Sequence, residues 1–437
     1  MIEQELQRKI QDFRELGIPE YVPREGGIHL LDRMVSTVIG ARRSGKSFRV
    51  LQVADEMIRQ GTLPSLDHVC PVDFDNPILA HMAAADLMLI QKTFLKLTPA
   101  FGLKTPLLFV FDEIHRISGW EEYVIDLSRN VQWKVIVTGS SSKLLKDDIA
   151  TALRGKSVSS AVYPLSFAEY LRFRDFREKP TSTKGQAVIR SLFDDYLKWG
   201  GYPALPTAPE FSREALLREY FDTMILKDIV QRFNVSKPRQ CTHLYNNLLS
   251  NIGRPYTLKS AYEFLKQSGY ATSRDAVRDY VAWAEDAWLF FTLPIHSQSS
   301  KEQERNYRKL YCIDWSLAIH NSLVWDGSYS RALENMVYLR LRRKYPRVRY
   351  YLTRSKRQEL DFLVSDDHGK SVMAVQVCMS MAHQATLKRE CEPLIATAKY
   401  FGTKDNLIIT LDEEQRIEQD GITIHVVPAW KWSLEQA

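Results

Sequence analysis

The chain has 437 residues, 45% of them hydrophobic, and a formal net charge of +6. That length suggests about three domains, and the composition places the chain with globular proteins rather than disordered ones. The mild positive charge permits contact with nucleic acid without arguing for it, and no run of about 18 apolar residues offers a membrane span. Cys70, Cys241, Cys312, Cys378 and Cys391 are scattered with no C-x-x-C pair. This is the pattern of a reduced cytosolic protein without a structural zinc site. The first residues, Met1-Ile-Glu-Gln-Glu-Leu-Gln-Arg-Lys9, lack the apolar centre of a signal peptide.

Residues 1–33 read as a short helix and a loop leading into an α/β core at 34–175. Strands are predicted at 35–39, 69–74, 107–111 and 134–138, with helices between them, an alternation that favours a parallel sheet. After the first strand comes Gly40-Ala-Arg-Arg-Ser-Gly-Lys-Ser47, a G-x-x-x-x-G-K-S loop, followed by a helical stretch at 48–59. Strand, glycine loop and helix together make a phosphate-binding loop. Its backbone N–H groups (Gly40, Ala41, Arg42, Arg43, Ser44, Gly45) and the helix N-terminus would face phosphate oxygens. Lys46 would reach the β- and γ-phosphates of ATP, and the Ser47 hydroxyl would bind Mg²⁺.

The third strand, Leu107-Leu-Phe-Val-Phe111, is continuously apolar and ends in Asp112 and Glu113. Such a run belongs to a strand buried on both faces, and ligands bind at the carboxyl ends of strands in such sheets. Asp112 is expected to hold Mg²⁺ and Glu113 to polarise the water that attacks the γ-phosphate. The plainer alternative is that both carboxylates cap the helix that follows. The fourth strand ends at Thr138-Gly-Ser-Ser-Ser142, where Thr138 or Ser140 could touch the γ-phosphate or its water, or cap the next helix. Arg154, beside a glycine, is a candidate charge on the transferring phosphoryl group.

Residues 176–237 read as a helical lid or connector interrupted by Trp199-Gly-Gly-Tyr-Pro203. Residues 238–293 have the rhythm of a winged helix-turn-helix, with Ser273 as the N-cap of a helix whose Arg274 and Arg278 lie off its apolar stripe. The alternative is a small helical domain that packs on protein. Residues 294–437 contain ten lysines and arginines against one acidic residue across 331–357, interleaved with tyrosines 338, 345, 350 and 351. That mixture suits phosphate contact with base stacking, or else a solvated helix face followed by an edge strand. In the same region Glu334 on a helix, Asp361 on one strand and Gln376 on the next follow the order of the PD-(D/E)xK nuclease fold, whose carboxylates bind metal while a lysine activates water. Cys378 stands where that lysine belongs, so the order matches the fold better than the activity.

Further motifs narrow the class. Phe109-Val-Phe-Asp-Glu-Ile-His115, Thr138-Gly-Ser-Ser-Ser-Lys-Leu-Leu145, Leu153-Arg-Gly-Lys156, Tyr163-Pro-Leu-Ser-Phe-Ala-Glu-Tyr-Leu171, Gly200-Gly-Tyr-Pro203, Tyr220-Phe-Asp-Thr-Met-Ile-Leu-Lys-Asp-Ile-Val230 and Glu359-Leu-Asp-Phe362 span most of the chain. With the phosphate loop, they resemble the prokaryotic AAA+ ATPases of the archaeal-type group, in the STAND-like branch of P-loop NTPases. The resemblance implies a sensor position at Thr138 to Ser140 and an arginine finger at Arg154, although Lys156 replaces the arginine usual at that place. It also implies a winged-helix unit and a nuclease-like C-terminal domain.

The expected fold class is therefore α/β: a parallel-sheet P-loop core, a helical lid, a winged-helix unit and a C-terminal restriction-endonuclease-like domain. The expected activity is Mg²⁺-dependent ATP hydrolysis that drives a conformational change, in association with DNA. Two alternatives are a nucleotide-regulated protein-interaction switch and an ATP-linked nuclease. The expected partners are ATP, DNA or a protein, or a further copy of the chain, with no membrane.

Overall fold

The computed structural model describes residues 1–437 except 140–152, 154, 328, 355, 436 and 437. The chain divides into two compact units, residues 1–163 with 286–288, and residues 164–285 with 289–437.

The first unit is built on a five-stranded sheet of β1 (Val35–Ile39), β2 (Val69–Asp73), β3 (Leu107–Asp112), β4 (Trp133–Gly139) and β5 (Ser157–Ala161). Its order is β2-β3-β4-β1-β5 and every pairing is parallel. Helices cover both faces of a parallel sheet, which explains why Leu107 to Phe111 is apolar at every position and buried throughout. The helix Lys46–Arg59 places Val50, Val53, Ala54 and Met57 on one stripe against Val38, Leu108, Val110 and Ile136. The fifth strand was not anticipated. Its Ser157-Val-Ser-Ser-Ala sequence carries little apolar signal, and as an edge strand it is only partly buried.

The helix Ile2–Leu16 belongs to this same unit. Its Glu5 accepts a hydrogen bond from Asn76 at 2.8 Å, Lys96 lies 3.1 Å from Glu3, and the Arg14 guanidinium stands 5.4 Å from the Phe94 ring centre.

The second unit holds two further sheets. One is antiparallel, of β6 (Pro255–Tyr256), β7 (Phe290–Leu293) and β8 (Arg308–Cys312) in the order β6-β8-β7. The helices Pro238–Leu249, Leu258–Gln267 and Arg274–Asp286 accompany it in sequence. The other is mixed, of β9 (Arg347–Leu352), β10 (Glu359–Ser365), β11 (Ser371–Val377), β12 (Asp405–Thr410), β13 (Gln415–Gln419) and β14 (Ile422–Pro428), in the order β13-β14-β12-β11-β10-β9. The long helix Gln384–Phe401 lays Cys391, Leu394 and Ile395 on its Leu360, Leu363, Ala374 and Ile408.

Two of the quoted motifs meet in this unit for structural reasons. The Gly201 carbonyl accepts from the Leu165 N–H at 2.6 Å, and the Gly201 N–H donates to Asp314 at 2.7 Å. Asp314 also accepts from the Ser316 N–H at 3.0 Å and the Ser316 hydroxyl at 2.7 Å. Burial pushes its carboxyl up to about 6, against the pull of those three donors. Ser166 and Glu169 close a capping box on the helix Phe167–Phe173. The Pro-Leu-Ser-Phe and Gly-Gly-Tyr-Pro motifs thus lock two segments together around one buried carboxylate.

The basic stretch 331–357 is largely spent on the fold. Tyr338, Tyr350 and Tyr351 are buried and Tyr345 is half-buried. Arg340 donates to the carbonyls of Ser433 and Glu435, Arg343 to that of Pro164, and Arg331 contacts Asp326 at 2.5 Å. All five cysteines are free and buried. Among the described residues no helix is long and apolar enough to cross a membrane.

Candidate functional site

Residues 40–45 connect β1 to the helix Lys46–Arg59 by a path most side chains resist. Gly40 has φ 149°, Arg43 φ 66° and Gly45, at the N-cap, φ 93°. At Gly40 space is as restrictive as angle, because a Cβ would stand 2.1 Å from the Val162 carbonyl oxygen. No side chain caps the helix, so its first-turn N–H groups are left to the loop interior. Ser44 is fully buried inside the loop with its hydroxyl unpartnered. Lys46 is buried too, and its ammonium donates to the Gly40 and Ala41 carbonyls at 3.1 and 3.0 Å.

Ser47 follows at the mouth of a cleft of ≈ 470 Å³, which Asp73, Asp112 and Thr138 also line. Asp112 and Thr138 arrive there because β3 and β4 are adjacent and parallel, so their carboxyl ends coincide. The Thr138 hydroxyl donates to Asp112 Oδ1 and accepts from the Glu113 N–H at 3.1 Å. Thr138 is fully buried, and one hydroxyl therefore fixes both acidic residues. Glu113 turns away from the strand in a left-handed conformation, φ 54°. His115 Nδ1 lies 3.3 Å from its carboxylate. Burial raises the Glu113 carboxyl, the Lys46 charge opposes that shift, and the Asp112 charge adds to it. Arg42 is half-buried and acts on the same carboxylate, while Arg43 is exposed. Ser140 and Arg154 lie outside the described residues.

Sequence reasoning missed the segment 21–26, which is tied to this loop. Arg24 donates to the Ser44 carbonyl at 2.9 Å and the Tyr163 carbonyl at 2.7 Å, and its N–H donates to Gln52 at 3.0 Å. Gln52 in turn donates to the Val22 carbonyl at 3.1 Å, and Arg49 to that of Gly26 at 3.1 Å. Tyr21-Val-Pro-Arg24 has no periodicity, and the Arg24 guanidinium reaches backbone carbonyls, so no pattern announces it.

In the second unit Glu334 and Asp361 come together, but around a lysine the sequence did not single out. Lys309, on β8, places its ammonium 2.6 Å from Glu334, 3.1 Å from Glu359 and 2.9 Å from Asp361. Gln376 is beside them and otherwise engaged: its carbonyl oxygen accepts from the Asp361 N–H at 2.6 Å and its amide donates to Glu390 at 2.8 Å. The only signal for Lys309 was a charge directly before the apolar run Leu310-Tyr-Cys-Ile313.

Comparison with known proteins bears on the first site. Residues 32–171 match the family model described as an AAA domain. The matched segment contains the phosphate loop, Asp112, Glu113 and Thr138, and with its parallel sheet it has the α/β fold of a P-loop ATPase. Residues 190–325 match a domain of unknown function, DUF8612. An uncharacterized protein of Methanocaldococcus jannaschii is 29% identical over 426 residues, covering 94% of this chain and 91% of its own. An uncharacterized protein of Haemophilus influenzae is 26% identical over 399 residues, covering 91% and 94%. Among solved structures, a Walker-type ATPase of Pyrococcus abyssi overlaps 73% of this chain and 95% of its own, at 14% identity and a TM-score of 0.43.

Proposed function

We propose that the first unit binds ATP with Mg²⁺ and hydrolyses it, and that turnover drives a conformational change. One observation carries the reading: Ser47 at the start of a helix and Asp112 at the end of a strand line a single cleft beside the loop that holds Lys46. The residues fit the ligands. The unpartnered Ser44 hydroxyl and the uncapped helix N-terminus suit an anion, and the oxygens of Ser47 and Asp112 are hard donors suited to Mg²⁺. Mg²⁺ bound there would neutralise charge on phosphate oxygens. Lys46 would exchange the Gly40 and Ala41 carbonyls for phosphate oxygens, and Thr138 would keep Asp112 in place. Glu113 would orient the attacking water and take up its proton, a role suited to a carboxyl raised by burial. Lys46→Ala should abolish binding of a fluorescent ATP analogue, and tight retention of the nucleotide by that variant would count against the assignment.

For what the ATPase drives, the side chains favour a protein-directed switch over a DNA-directed one. The element order from Pro238 to Cys312, helix, strand, two helices, strand, the short helix Ser300–Arg305 and a last strand, supports a winged-helix reading with that short helix inserted between its final strands. Its third helix, Arg274–Asp286, carries Arg274 and Arg278 against Asp275, Asp279, Glu285 and Asp286, so it is net acidic. Arg278 lies 2.8 Å from Asp275, and the Arg274 guanidinium stands 5.7 Å from the Tyr262 ring centre. A helix of that charge repels a phosphate backbone. We read the C-terminal sheet as a non-cutting relative of the nuclease fold. Gln376 is committed to Asp361 and Glu390, and burial pushes the Cys378 thiol up to about 12. The full-length protein should neither retain duplex DNA at low salt nor nick a plasmid with Mg²⁺. Affinity that falls linearly with salt on logarithmic axes, or nicking lost in Asp361→Ala, would sink this reading.

A further inference from the structure

The second unit holds a connected group of buried charges centred on Lys309. Lys309 is 1% exposed. A buried ammonium is costly unless it is paired, and three carboxylates brought together repel one another unless a cation stands among them. Here each cost offsets the other. Lys309 has three N–H groups, and one carboxylate lies within 2.6 to 3.1 Å of its nitrogen for each of them.

The carboxylates are otherwise satisfied by the chain itself. The Tyr311 hydroxyl donates to Glu334 at 2.7 Å, the Tyr307 hydroxyl to Glu359 at 2.6 Å, and the Val377 N–H to Asp361 at 3.0 Å. Burial works to lower the Lys309 pKa, but Asp361 and Glu334 overcome it and hold the ammonium protonated well above the usual lysine range. Among the described residues no three His, Cys, Asp or Glu side chains are arranged to hold a metal ion.

We propose that Lys309 is an internal cation that takes the place of a divalent metal among Glu334, Glu359 and Asp361, so that the cluster is complete without metal and gains a metal site only when that charge is removed. The two cations exclude each other, because a divalent ion at the focus of these three carboxylates would sit on the ammonium nitrogen. The cluster joins β8, the helix Ser330–Lys344 and β10, so Glu334 and Asp361, which would serve a nuclease, instead join Glu359 in holding these elements together. The inference deepens the non-cutting reading of this sheet and is independent of the ATPase reading.

The test is a Mn²⁺ titration of the full-length protein without nucleotide, read by the loss of the free-ion electron paramagnetic resonance signal. All arms share Asp112→Ala, which removes metal held beside Ser47. In that parent no Mn²⁺ should bind in the micromolar range. Adding Lys309→Met should create one Mn²⁺ site, bound at least tenfold more tightly than anything in the parent. That site should disappear with Asp361→Asn, and Mn²⁺ should raise the melting temperature of the Lys309→Met protein alone. A folded Lys309→Met protein that binds no Mn²⁺ overturns the proposal. So does a parent that binds Mn²⁺ tightly and loses it with Asp361→Asn. If Lys309→Met does not fold, the parent and its Asp361→Asn variant still decide: equal, weak binding supports the proposal, and a lost site overturns it.

Discussion

Glu113→Gln should slow steady-state ATP turnover by about 100-fold or more while ATP still binds within a few-fold of the parent affinity. The side chain is nearly isosteric, so the left-handed turn at φ 54° and the hydrogen bond from its N–H to Thr138 are kept. The carboxylate that orients water and accepts its proton is what goes. Neutralising it also removes a negative charge close to where phosphate would lie, so binding is expected to hold or tighten. The separation of the two effects is diagnostic, because a misfolded loop would lose both. Turnover by a coupled phosphate-release assay and binding by a fluorescent analogue give the two numbers. Parent-like turnover in Glu113→Gln would remove this residue from the chemistry and return it to capping the turn at Ile114–Arg116, the plainer role.

The largest expected effect on stability lies in the second unit, at Gly200. Its backbone, φ 77° and ψ −162°, lies in a region that is essentially reserved for glycine. A Cβ there would stand 2.0 Å from Asp314 Oδ1 and 2.6 Å from the Ser316 hydroxyl. Gly200→Ala must therefore strain the backbone and displace a buried carboxylate from the Gly201 N–H, the Ser316 N–H and the Ser316 hydroxyl. Orphaned buried donors cost roughly 1–3 kcal/mol each, so the total should reach about 4 kcal/mol or more. The measurement is the denaturant midpoint of the tryptophan fluorescence transition, since Trp199 and Trp315 flank the site. A midpoint within experimental error of the parent would show that the lock between Leu165, Gly201 and Asp314 is not what holds this unit together.

These two sites were legible to different degrees. The strand at 107–112 declared itself because burial on both faces demands an unbroken apolar run, and its position beside β4 follows from the same parallel architecture. The loop at 40–47 declared itself because its glycines are required by backbone angles that few other residues adopt. The fifth strand did not, since an edge strand needs apolar residues on one face only and can be built from serines. Gly200 and Gly201 could be quoted as a motif, but their reason is Asp314, more than a hundred residues later, and no spacing rule connects them. The tyrosines of 331–357 misled for a related reason. Aromatic residues among arginines serve base stacking and a protein core equally well, and here Tyr338 and Tyr350 are core. Lys309 was not singled out because its three partners lie on two other elements, and its role exists only in the folded chain.

Arg24 has a mechanical consequence. A single guanidinium holds the carbonyl of Ser44, inside the phosphate loop, and that of Tyr163, the residue at which the continuous part of the first unit ends. Hydrogen bonds tolerate only a few tenths of an ångström before they weaken. Any rearrangement of Ser44 around phosphate oxygens must then either break this strut or pull on residue 163. A loop that closes on its ligand would thereby be felt at the point where the chain departs, through one side chain and without a hinge.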